Sequence, residues 1–323
     1  MVDRGLLYKE WKQHQILYLI IFCFLLFIHP FSILNDYRVY LNDLNHYPHE
    51  GRFIIDYAPS QYAITWQIGL CILLTVVQIG VERSKGLLDF TLSLPYSRSQ
   101  VFNTKFLLGV IVLIVSQLLG YLLSELLIVI LKPESVLFFH HYMIGSMVIS
   151  FMAYALVMAA GAMTGHIIAQ LLTAFSVAIM PFLIIGLPVL NLSVWMERPA
   201  FEQSFPIFDS SLKYLIPIVY IEGHWVSESP FILLIPAVLS ILFYLFGYFS
   251  FLKHQNERNG SFFLFKQLDR PVQIAVIIFG ILGFGSFGYE SGDSLTGYVV
   301  GMIIGAVVGF LISYFSIYKK IKY

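Results

Sequence analysis

Long apolar runs separated by short polar segments dominate the chain. Eight runs approach or exceed the ~20 residues that a membrane-crossing helix needs. They cover residues 16–34, 62–81, 101–131, 143–164, 167–190, 231–252, 272–289 and 294–318. The stretch 143–190 holds no Asp, Glu, Lys or Arg. At ~1.5 Å per residue it is too long to cross a ~30 Å hydrocarbon layer once. Thr164-Gly165-His166 is therefore the expected turn of a tight hairpin. Continuous apolar runs do not alternate as barrel strands do. The pattern predicts an all-α polytopic membrane protein with eight transmembrane helices.

Charge sets the expected orientation. With the N-terminus in the cytoplasm and strict alternation, 14 Lys and Arg residues fall inside and 5 outside. That asymmetry obeys the positive-inside rule and puts both termini in the cytoplasm. Residues 16–28 resemble a signal h-region, but Ile28-His29-Pro30-Phe31 offers no small-residue cleavage site, so a retained first span is expected. Residues 1–15 alternate apolar and basic positions and predict an interfacial amphipathic helix on membrane lipid. Residues 16–252 form the expected six-span core, with outer segments 35–61 and 191–230. Residues 253–323 add two spans.

Composition narrows the class. The chain is 58% hydrophobic and 12% charged, with a mean hydropathy of +0.80. Soluble domains carry about twice that charge. Zero net charge gives no footprint for nucleic acid. Cys23 and Cys71 both lie in apolar runs, so neither a disulfide nor a cysteine metal site is expected, and no cofactor is implied. No Gly-Lys dipeptide occurs, which excludes a P-loop; H-E-x-x-H and G-x-S-x-G are absent too.

The most informative segment joins the second and third runs, at 82–100. Glu82, Arg83 and Lys85 are followed by Leu87, Leu88, Phe90, Leu92 and Leu94. Pro95 cannot continue a helical ladder, and Ser97 or Ser99 can cap the next helix. A short helix across the membrane base is expected, with leucines that need a cover. Glu-Arg-x-x-Gly-Leu-Leu-x-x-x-Leu-Ser-Leu-Pro-x-Ser-Arg, with Lys105 entering a span, resembles the coupling region of ABC-2-type permeases. Leu7-Tyr8-Lys9-Glu10-Trp11-Lys12 resembles that family's N-terminal helix. The resemblance covers residues 6–131. It implies a half-transporter that pairs with a second permease, identical or related, and with two ATPase subunits. Glu82, Arg83, Gly86, Leu87, Leu88, Leu94, Pro95, Ser97 and Arg98 are then the ATPase-coupling residues. Six spans are usual in the family, so the last two are a departure. The eight-span layout looks most like permeases of the bacillar acetoin-utilisation transporter, which implies a link to acetoin use.

Other polar residues stand out singly. Lys105 lies near a span end and is expected to snorkel. Glu125 lies seven residues before Lys132 and, with Gln117 two turns deeper, is a possible pathway residue; an outer vestibule or a loop cation is the plainer expectation. His46 and His49, with Asp43 and Glu50, lack firm ligand spacing, so a loop turn outweighs a metal site. Gly297, Gly301, Gly305 and Gly309 form a row that lets a helix approach closely, either the neighbouring span or a second permease. Three functions fit the chain in descending order: an ATP-driven permease for a small, neutral or amphiphilic solute, a non-transporting sensing or assembly factor, and an intramembrane enzyme. Seven of the eight spans hold no acid or base apart from histidine, which disfavours the third.

Overall fold

A computed structural model describes residues 3–46, 52–57, 61–195, 211–253, 256–292 and 294–318. The helices, in chain order, are α1 (Arg4–His46), α2 (Gln61–Thr75), α3 (Glu82–Ser84), α4 (Leu87–Ser93), α5 (Arg98–Leu131), α6 (Phe139–Met163), α7 (Ile167–Trp195), α8 (Leu234–Lys253), α9 (Lys266–Gly292) and α10 (Leu295–Tyr318). A π-helical turn, Val76–Val81, links α2 to α3, so the second span runs Ala63–Ser84. Among the described residues, eight helical segments are long and apolar enough to cross a membrane, one for each apolar run of the sequence.

No break separates residues 4–15 from the first span. The expected interfacial helix is the first part of α1, 43 residues long. Its inward face carries Leu6 and Glu10, both fully buried. Contacts inside the bundle, and not lipid, hold that face. The same helix runs on to His46, so the segment 35–61 starts as helix and not as loop. Pro30 is accommodated within α1.

The parallel pair α1 and α5 forms one wall. Lys105 meets Glu10 at one level. Further along, a Cβ at Gly120 would lie 2.8 Å from the Leu26 carbonyl oxygen, so glycine lets α5 rest on the α1 backbone. The central helix is α6, packed by α2, α7 and α8. Its run of Ala153, Ala155, Ala159, Ala160 and Ala162 keeps that packing close, and Gly247 of α8 lies against Ala159.

The glycine row of α10 faces α9. A Cβ on Gly301 would enter the Phe284 carbonyl oxygen, and one on Gly305 the Gly280 carbonyl oxygen. Gly288 and Gly297 meet in the same way. This row therefore closes an internal hairpin and is not free to receive a second permease. The hairpin is tied to α7 by Asn191, whose Oδ1 accepts from Tyr298 OH at 2.9 Å and whose Nδ2 donates to the Leu282 carbonyl at 3.1 Å.

At one end a cap covers the bundle. Strands β1 (Ile54–Asp56) and β2 (Ser135–Leu137) pair in parallel. Short 3-10 turns between Ser211 and Leu233 complete it. Trp225 is fully buried, stacks on Tyr142 and fills the notch at Gly145. Glu197, Glu202 and Asp209 of the segment 191–230 lie outside the described residues, as do His49, Glu50 and the last five residues.

The opposite end carries α3, α4 and most of the basic residues. There the α6–α7 hairpin turns at Thr164–His166, as expected. His166 Nδ1 accepts the Ala169 N–H at 3.1 Å and so caps α7. Burial holds the imidazole below its ordinary range. The cap needs an unprotonated ring, and the unfolded chain takes up the proton more readily. This contribution is therefore complete above the unfolded value of about 6.5 and is lost as the pH falls below it. His166→Asn keeps a cap that does not titrate. Its thermal midpoint in detergent should drop less than the parent's between roughly pH 7.5 and 5.5. Identical slopes would remove His166 as the cause.

Candidate functional site

The basic end holds a charged cluster built from four elements. Leu6, Glu10 and Tyr18 place one face of α1 inward. The π turn aims Gln78 into the bundle, and Glu82 follows at the start of α3. Lys105 comes from α5. Its Nζ lies 2.5 Å from Glu10 Oε2 and 2.6 Å from Glu82 Oε2. All three side chains are essentially inaccessible to solvent. Lys105 therefore does not snorkel; two carboxylates hold its ammonium inside.

Both carboxylates of the cluster have further partners. Glu82 Oε1 accepts from Gln13 Nε2 at 3.0 Å and faces His14 Nε2 at 2.5 Å. Glu10 Oε1 accepts from Lys9 Nζ at 2.8 Å. Lys9 Nζ also donates to Thr91 Oγ1 of α4 at 2.6 Å. Two ammonium groups thus face two carboxylates, as buried ions require. Just beyond, Gln78 Nε2 donates to Tyr18 OH at 3.0 Å and to the Lys105 carbonyl at 3.2 Å, and Tyr154 OH donates to Gln78 Oε1 at 2.8 Å. The result is a continuous polar path from α4 through α1 and α5 to α6.

The ligand atoms of Glu10, His14 and Glu82 converge closely enough to suggest a cation site. Lys105 Nζ already bridges the two carboxylates at 2.5 and 2.6 Å. The cluster is accordingly an ion-pair network. Among the described residues, His46 of the first outer segment bonds within its own turn, to the Asn42 carbonyl.

The expected coupling residues divide into two groups. Glu82 and Arg83 are buried, and so is Leu88. Arg83 Nη1 donates to the carbonyls of Gly161 and Thr164 and so covers the C-terminus of α6. Leu88 sits in the core with Leu6, Val101 and Phe102. The cluster and the core draw these three inward. Leu87 and Phe90 point the other way, 41% and 62% exposed. Gly86 adopts a positive φ of 69°, which reverses the chain between α3 and α4. Nothing lies within 4 Å of its missing Cβ. Leu94 ends α4 in extended backbone, with Pro95 exposed after it. Ser97 caps α5 through a capping box with Gln100. Arg98 Nη1 donates to the Leu252 carbonyl at 3.3 Å and ties this segment to α8.

A second segment completes the surface. Asn259 Nδ2 donates to both carboxylate oxygens of Asp89, at 2.9 and 2.8 Å. Leu264 N donates to the Met163 carbonyl at 2.9 Å, and Thr164 pairs with Phe263. The segment leading to the two added spans is thus seated on α4 and on the α6–α7 turn. No repeat or motif in the sequence marks it.

Gln117 and Glu125 stay apart. Gln117 is buried, with neither amide atom bonded to a described residue. Glu125 lines a cleft at the capped end of the bundle, and Gln117 does not.

The comparisons agree with this architecture. The chain is 55% identical over 330 residues to "Probable ABC transporter permease YtrC" of Bacillus subtilis (strain 168), covering 100% of both chains. The chain belongs to the ABC transporter permeases. It is also 49% identical over 326 residues to "Probable ABC transporter permease YtrD" of the same strain, covering 100% of this chain and 99% of the relative. No family model matches the permease, and no solved structure does. With eight apolar spans it is a multi-pass protein of the cell membrane. Membership implies work with ATPase subunits. The relatives' names say nothing of acetoin, so that link gains no support.

Proposed function

We propose that the basic end faces the cytoplasm and that α4 is the element on which the ATPase subunits act. The supporting observation is the division of α4 into two faces. Thr91 and Leu88 lock one face to the charged cluster and the core. Leu87 and Phe90 leave the other face open. A force on the open face then reaches α1 and α5 through Lys9, Glu10 and Lys105, and the spans move as rigid bodies. Solute moves on ATP hydrolysed by a separate chain; this chain carries no P-loop and serves no catalytic step. Two ATPase subunits and a second permease, identical or related, complete the transporter.

Covering a Leu or Phe side chain is worth about 1.5–3 kcal/mol each. Leu87→Asp with Phe90→Asp should therefore cut copurification of the ATPase at least about tenfold, since about 1.4 kcal/mol is tenfold. Membrane abundance should not change, because neither side chain belongs to the core. ATPase recovered at the parent level would refute the assignment of α4. Solute flux in vesicles distinguishes transport from sensing.

A further inference from the structure

We propose that the cleft beside Glu125 binds a cationic amphiphile, an organic ammonium group carried on an apolar chain. The proposal deepens the permease reading, because it names a class of solute for the capped end of the bundle.

Glu125 lies on α5 seven residues before Lys132, about 10 Å along the helix axis. An ionisable side chain at that depth is costly and calls for a reason. Its carboxylate makes no hydrogen bond or ion pair with a described residue. Gly120, five residues away, and Ser124, next to it, are buried, whereas Glu125 turns toward a cleft of about 350 Å³. That volume is at the lower end for small-molecule sites.

The walls identify the ligand. Phe138, Phe139, Val129 and Ile128 line the cleft. Val129 and Phe138 are exposed, so an apolar side of the cleft is open. Both histidines at the rim are engaged. His140 Nδ1 is 2.9 Å from Tyr121 OH, and His141 Nε2 is 3.3 Å from the Trp225 carbonyl. With Glu125 they do not form a converging ligand set, which argues against a metal ion. A lone acceptor charge with aromatic walls is complementary to an ammonium head, and the apolar side to a chain. Phe138 adds a sign of built geometry. It holds a positive φ of 61°, a strained conformation for a phenylalanine, and starts α6 by accepting from Tyr142 N at 2.9 Å.

The test uses the complex purified with its ATPase in dodecyl maltoside. The probes are a dansyl-labelled alkyl trimethylammonium and the alkyl sulfonate of equal chain length. The parent should bind the ammonium probe at least about tenfold tighter than the sulfonate. Glu125→Gln should abolish that preference and Glu125→Lys should reverse it. Two results would overturn the proposal: a preference that survives in Glu125→Gln, or equal binding of both probes by the parent. Tetramethylammonium that displaces the probe as strongly as the full amphiphile would overturn the amphiphilic part. ATPase copurification is scored separately, so a failure of coupling is not read as a failure of the cleft.

Discussion

Lys105→Met should be the most damaging conservative change in the molecule. It removes one ammonium from between Glu10 and Glu82 and leaves two buried carboxylates facing each other. Removing one member of a buried ion network typically costs about 3–5 kcal/mol, against a total stability of about 5–15 kcal/mol for a folded domain. Little folded protein should survive mild heating in detergent, as read by size-exclusion of the soluble fraction. The remedy follows from the same geometry. Adding Glu10→Gln and Glu82→Gln to Lys105→Met removes the stranded charges, and most of the folded yield should return. Parent-like heat resistance in the single variant would show that the cluster contributes nothing. Failure of the triple variant alone would mean that packing, and not charge, is what Lys105 supplies.

The second large effect is expected at the α9–α10 hairpin. Gly301 and Gly305 each touch a carbonyl of the opposing helix, so even a methyl group cannot enter without moving backbone. Gly301→Leu and Gly305→Leu should each abolish most of the folded yield. The same helices carry internal controls. At Gly309 the nearest atom is 3.0 Å away, so Gly309→Ala should be only mildly destabilising. Nothing lies within 4 Å at Gly283, and Gly283→Ala should be neutral or gain up to about 1 kcal/mol of helix propensity. A flat response across the four variants would sink the close-packing account.

The two predictions show different degrees of legibility in the sequence. The glycine row was visible as a repeat of four, because small residues at that spacing share one helix face. Which helix it faces was open, and the structure resolves it within the chain. The charged cluster was barely visible. Glu82 and Lys105 lie in the coupling region, and Glu10 in a segment that looked interfacial. Nothing in their spacing says that they meet. Gln78 is one of several amides in the apolar runs, and nothing in the sequence sets it apart. The segment at Asn259 gave no signal either.

The sequence by itself determined the number of spans, their approximate limits and the helical hairpin at Gly165. Those properties depend on apolar run length, and a bilayer reads run length locally. Only the tertiary structure decided which side of each helix is interior. Leu87 and Leu88 are neighbours of equal hydrophobicity, yet one is exposed and the other belongs to the core. The difference arises because buried charges must find opposite charges on other helices. Once Glu10, Glu82 and Lys105 have met, the rotation of α1, α4 and α5 follows.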